Sequence, residues 1–201
     1  MNLPNKLSLL RVALIPPALI CLLWGGMEST QPEITVWLRA AALVIVVVAT
    51  ATDFLDGWIA RSRGLITNLG KLLDPLADKV LVAAVMIALV ELQVYPAWPV
   101  VLILAREFLV TGLRMVAVAE GAVLAADSWG KHKTAWQLIA LLVALLALVV
   151  RESGRAAGTW DGTVFGISWL VPLYVPLAIA TLLTVISGWL YCWRNRSLLR
   201  E

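Results

Sequence analysis

At 201 residues, 61% of them hydrophobic and only 14% charged, with a mean hydropathy of +0.90, the chain falls outside the range of a soluble globular domain. The expectation is one integral membrane domain over 1–201 with no soluble appendage. The net charge of +3 is small, and no nucleic-acid partner is expected.

Six apolar segments follow in chain order, at about 8–26, 35–55, 73–94, 98–119, 133–151 and 165–192. Each is near the roughly 20 residues that a helix needs to cross a bilayer. The predicted fold is therefore an all-α integral membrane protein of six transmembrane helices. The fifth segment is uncharged over 134–150 and the sixth over 162–193, whereas the first, third and fourth carry charges. Lys6 and Arg11 before an apolar run imitate a signal peptide. No small-x-small cleavage site follows, and Arg11 already lies inside the apolar stretch, so a retained first span is expected.

Basic residues set the orientation. With the N-terminus inside, Lys6, Arg11, Arg61, Arg63, Lys71, Lys79, Arg106, Arg114, Lys131, Lys133, Arg194, Arg196 and Arg200 fall toward the cytoplasm, and only Arg39, Arg151 and Arg155 fall outside. Both termini are then cytoplasmic. Trp24, Trp37, Trp98, Trp169 and Trp193 lie near predicted span ends, as interfacial belts require. Cys21 and Cys192 fall near opposite membrane faces, too far apart for a disulfide. Of the longer connections, 152–164 is a Gly-rich outer connector and 120–132 lies inside.

Residues 53–78, DFLDGWIARSRGLITNLGKLLDPLAD, carry the chemistry. Asp53 and Asp56 are i,i+3, and Asp74 and Asp78 are i,i+4, so each pair shares a helix face. Isolated carboxylates beside apolar spans are costly. Four converging ones repel each other unless a divalent cation sits among them, and hard oxygen ligands suit Mg²⁺ or Mn²⁺. Asp53, Asp56 and Asp74 are the ligand candidates, with Asp78 shared between metal contact and proton transfer; one ion or two would fit. Gly57, Gly64 and Gly70, with Arg61 and Arg63 among them, predict a tight connection between two helix ends. Pro75 is tolerated if it falls in a first helical turn.

The pattern D-x2-D-G-x2-A-R-x8-G-x3-D-x3-D is met at Asp53, Asp56, Gly57, Ala60, Arg61, Gly70, Asp74 and Asp78. It resembles the signature of the CDP-alcohol phosphatidyltransferases, membrane enzymes of phospholipid synthesis. The resemblance implies CDP-diacylglycerol as donor, Asp78 as general base, a homodimer, and the bacterial cytoplasmic (inner) membrane, with a multi-pass chain and the site on the cytoplasmic side. Gly57, Ala60, Arg61 and Gly70 become the CDP-lipid-binding candidates. Small side chains there leave room for the nucleotide, or alternatively allow close helix packing, and Arg61 suits the diphosphate.

Three flanking segments, NLPNKLSLLRVALIP, AREFLVTGLRMVAVAEG and GKHKTAWQ, look like the bacterial branch of that family whose acceptor is sn-glycerol 3-phosphate. Arg106, Arg114, Lys131 and Lys133 are the glycerol-phosphate-binding candidates. Lysines at a helix start beside Gly130 suit phosphate, though anchoring at the inner face or pairing with Glu107 would also explain such charges. Together they supply more positive charge than a CDP diphosphate with its metals requires, as a phosphorylated acceptor would. His132 is expected to be solvated. Phosphatidylglycerol, inositol phosphate or serine remain alternative acceptors. A divalent-cation transporter is a different class, but the carboxylates fall at the cytoplasmic span ends rather than mid-membrane, and no repeat of the motif is visible.

Overall fold

In a computed structural model the backbone is described for residues 3–24, 31–63, 68–119, 129–160, 167–194 and 196, and the side chains for 9–24, 31–52, 79–117, 132–160, 169–194 and 196. Among the described residues the regular structure is helical throughout: α1 Leu3–Trp24, α2 Pro32–Arg63, α3 Asn68–Glu91, α4 Ala97–Ala119, α5 Trp129–Ala156 and α6 Ile167–Arg194. The all-α fold and the six elements are as expected. Among the described residues three stretches are long and apolar enough to cross a membrane, Pro32–Thr52, His132–Ala156 and Trp169–Arg194, and Leu9–Trp24 is a shorter apolar helix. The protein is a membrane protein.

Two compact units make up the chain, Met1–Val94 with Leu141–Gly166, and Tyr95–Ala140 with Ile167–Glu201. In the first, α1 packs along both α2 and α3. Leu22, Val46, Leu81, Met86 and Leu89 are fully buried there. In the second, α4 packs along α6, with Ile103 and Leu173 at its core. Tyr95, in the turn before α4, donates from its hydroxyl to the Ala140 carbonyl at 2.6 Å. Its burial raises the phenol pKa above the ordinary value.

Helix α2 begins with Pro32 at its first position, where the missing N–H costs nothing. It outlasts its span. The apolar part is 21 residues, Pro32–Thr52, but the helix continues to Arg63, about 48 Å in all at 1.5 Å per residue. The expected tight connection across Gly57, Gly64 and Gly70 is thereby corrected. Gly57 lies in α2 and Gly70 in α3, since a single glycine costs a helix only about 1 kcal/mol, and positions 64–67 lie outside the described residues. Pro75 likewise falls inside α3, because good helix formers at 71–73 extend the helix ahead of it.

The connector expected over 152–164 also starts later, since α5 runs on through Arg151–Ala156. It ends at Gly158, with φ +68°. There the Thr159 N–H donates to the Gly154 carbonyl at 2.9 Å and the Gly158 N–H to the Arg155 carbonyl at 3.1 Å, a Schellman cap. Helix α3 closes in the same way with Gln93 at φ 56°. Trp24, Trp37, Trp98 and Trp193 are all exposed near helix ends, where an interfacial belt would place them. Cys21 and Cys192 are both free.

Candidate active site

The four aspartates are carried by two helices of the first unit. Asp53 and Asp56 follow directly on the apolar span of α2, one turn apart, and Asp74 and Asp78 lie one turn apart in α3. Helical register therefore keeps both predicted spacings. The side chains of Asp53, Asp56, Asp74 and Asp78, and of Gly57, Ala60, Arg61 and Gly70, lie outside the described residues. Among those that are described, no group of three or more His, Cys, Asp or Glu forms a metal set. The motif's own chemistry fits a hard divalent cation: four carboxylates, no sulfur and no imidazole.

At the edge of the motif the structure adds a residue that the sequence reading used only for topology. Arg11 of α1 is 1% exposed. Its Nε donates to the Ala49 carbonyl at 3.3 Å, one helical turn before Asp53. The Thr52 hydroxyl donates to that same carbonyl at 2.8 Å. A buried arginine thus ties α1 to α2 at the point where the span gives way to the aspartates. The available signal was a cation inside an apolar segment, which in a membrane protein marks function or pairing.

Of the four basic candidates, all in the second unit, the structure joins two. Arg106 and Glu107 are 3.5 Å apart in α4, and Lys133 of α5, 3% exposed, also pairs with Glu107. Glu107 thus offsets part of the positive charge while holding both cations in one place. The Arg106 Nε is buried without a hydrogen-bond partner. Gly188 of α6 makes room for the arginine stem, since a Cβ there would stand 2.8 Å from the Arg106 Cγ. Sequence reading missed Gly188. Its signal was a lone glycine inside an otherwise apolar helix.

Arg114 is exposed and lies over the Tyr191 ring, 5.7 Å from its centroid. Lys131 sits in the first turn of α5, which holds no acidic residue; its side chain lies outside the described residues. Cations at a helix N-terminus oppose the helix dipole, and a bound anion there would relieve that opposition. His132 is exposed, though on the helix rather than in a loop. Gln137, from the same segment, is buried and donates to the Thr184 hydroxyl at 3.4 Å.

The family described as CDP-alcohol phosphatidyltransferase matches residues 1–190. A protein of Bacillus subtilis (strain 168) named CDP-diacylglycerol–glycerol-3-phosphate 3-phosphatidyltransferase is 41% identical over 198 residues, covering 96% of this chain and 95% of its own length. A Mycoplasma pneumoniae protein of the same name is 32% identical over 94% of this chain and 86% of its own length. A Mycobacterium tuberculosis protein named probable phosphatidylglycerophosphate synthase is 37% identical over 93% of this chain and 78% of its own length.

Proposed function

This chain belongs to the CDP-alcohol phosphatidyltransferase family, and we propose on that premise that it transfers the phosphatidyl group of CDP-diacylglycerol to sn-glycerol 3-phosphate. The products are phosphatidylglycerophosphate and CMP. The observation that carries this reading is the aspartate pattern on α2 and α3, and relatives named for this reaction align over nearly the whole chain.

Asp53, Asp56, Asp74 and Asp78 hold one or two divalent cations. Bound Mg²⁺ or Mn²⁺ supplies neutralisation of the diphosphate and Lewis-acid help to the departing CMP. Gly57 and Ala60 leave room for the nucleotide against the α2 backbone, Gly70 does the same on α3, and Arg61 meets the diphosphate. Asp78 takes the proton from a hydroxyl of glycerol 3-phosphate as that oxygen attacks the β-phosphorus. One P–O bond forms to the acceptor and one breaks to CMP. Positioned base help of this kind is worth about 10²–10⁴ in rate.

The acceptor's phosphate is bound by Arg106, Arg114, Lys131 and Lys133. Glu107 keeps Arg106 and Lys133 together, and the first turn of α5 offers N–H groups to the same anion. An uncharged acceptor such as serine would leave this charge unexplained. In the cell the whole of 1–201 acts as one multi-pass domain of the bacterial inner membrane, as a homodimer with six spans. Both termini and the aspartates face the cytoplasm, where CDP-linked substrates are made.

An acceptor panel tests the reading. Purified protein with CDP-diacylglycerol and Mg²⁺ or Mn²⁺ is offered glycerol 3-phosphate, phosphatidylglycerol, inositol phosphate and serine, and lipid product and CMP are quantified together. Stoichiometric CMP and phosphatidylglycerophosphate with the first acceptor alone is the expected result. Product with another acceptor in preference to it would reassign the substrate, and no CMP release with any of them would overturn the transfer chemistry.

A further inference from the structure

The three arginines that break the charge rule for this chain, Arg39, Arg151 and Arg155, do not scatter over the outer side. Among the described residues the charged groups acting on Arg39 are Glu152, Arg151 and Arg155. Three guanidinium groups therefore share one carboxylate, whose hydrogen bonds and ion pairs among the described residues go to Arg151 and Arg155. Arg151 reaches the Glu152 Oε1 through Nε at 2.9 Å and through Nη2 at 2.8 Å. The Arg155 Nη1 lies 3.3 Å from each Glu152 oxygen.

Arg39 is left over. It is 1% exposed, and its Nε and Nη1 are buried with no hydrogen-bond partner. The carbonyls at the end of α5 are already capped: Ser153 by the Ala157 N–H, Gly154 by the Thr159 N–H and hydroxyl, and Arg155 by the Gly158 N–H. Three cations sharing one anion, with one of them buried and short of hydrogen bonds, are unfavourable, and a second anion is the ordinary remedy.

Position decides which anion. Arg39 is the eighth residue of α2, roughly 10 Å along the axis from Pro32 and roughly 20 Å from Asp53. It lies about a third of the way into an apolar span, from where a long arginine side chain extends toward the lipid phosphates, in the half of that span away from the aspartates. Guanidinium pairs preferentially with phosphate or carboxylate oxygens, and phosphate is the abundant anion of that layer. Arg155, whose side chain is 42% exposed, is the point of entry.

We propose that Arg39, Arg151, Arg155 and Glu152 form a phosphate-anion site, separate from the transferase site, that binds the headgroup phosphate of an anionic phospholipid. The excess charge selects a net anion over a zwitterion. Arg155 meets the phosphate directly, and Arg39 supplies the buried positive charge that the phosphate neutralises. The inference does not depend on the transfer chemistry.

Thermal unfolding tests it without any activity readout. Wild type, Arg39→Met and Arg155→Gln are compared in phosphatidylcholine nanodiscs, in nanodiscs containing phosphatidylglycerol, and in phosphatidylcholine nanodiscs with inorganic phosphate. Wild type should be stabilised saturably by phosphatidylglycerol, and both variants should need about tenfold more of it for the same shift. Without anion, Arg39→Met should melt higher than wild type, because the unpaired charge is gone. An equal response to inorganic phosphate alone would uphold the site but assign it to a free anion. Wild type that gains nothing from either anion overturns the proposal, as does an identical response in Arg155→Gln, whose exposed position keeps folding out of the question.

Discussion

Glu107 in the second unit and Glu152 in the first each gather more than one cation, and the two gatherings differ in reach. Glu107 holds its neighbour Arg106 and Lys133, one helix away. Glu152 holds its neighbours Arg151 and Arg155 and leaves two nitrogens of Arg39, more than a hundred positions earlier, without a hydrogen bond. Around Glu107, Gly188 shapes the space for the arginine stem, and the cations gathered there are the ones proposed for the acceptor phosphate. Around Glu152 the surplus lies at the far end of α2 from the aspartates. In both places surplus buried charge is read as a demand for an anion, a substrate phosphate in one case and a lipid phosphate in the other.

The largest expected effects lie outside both clusters and set the scale for them. Asp53→Asn, Asp56→Asn and Asp74→Asn each remove a ligand charge. Each should lower turnover by about 10² or more, with membrane insertion unchanged, and excess chelator should silence the wild type reversibly. Turnover that persists in chelator would separate the aspartates from any metal.

Next, Lys133→Gln should raise the KM for glycerol 3-phosphate by about tenfold, the worth of one charge-assisted contact, and move the KM for CDP-diacylglycerol far less. Arg39→Gln should leave both constants near wild type. Equal shifts of the two constants in Lys133→Gln would reduce it to an anchor. A shift of the acceptor constant in Arg39→Gln would erase the distinction between the clusters.

A smaller effect is expected of Gly188→Ala. Overpacking against the Arg106 stem should cost about 1–3 kcal/mol of stability and raise the acceptor KM a few-fold, with the CDP-diacylglycerol KM held. No change in either would mean that Arg106 yields without consequence.

These contrasts also show what the sequence could and could not reveal. Apolar segment length alone located six helices, and the spacing of Asp53, Asp56, Asp74 and Asp78 survives intact because helical register is a local property. Ends were less legible. Nothing local stops α2 at Gly57 or α5 at Arg151, so both helices run on, and glycines read as a turn proved to lie within helices. Least legible were meetings between distant segments. Arg39 read as an exception to a charge rule, and Gly188 as one glycine in an apolar run. Periodicity says which face a residue occupies but not which helix faces it, so the shared use of Glu152 and the fit of Gly188 to Arg106 emerge only on packing.

The most direct measurement is Asp78→Asn, with kcat for phosphatidylglycerophosphate formation and affinity for CDP-diacylglycerol determined on the same preparation. An amide keeps the carboxylate's shape but cannot take the acceptor's proton. If Asp78 is the base, turnover should fall by about 10² or more while CDP-lipid affinity stays within a few fold. Near-normal kcat in this variant would contradict that assignment and transfer the role to another base or to the acceptor's own phosphate.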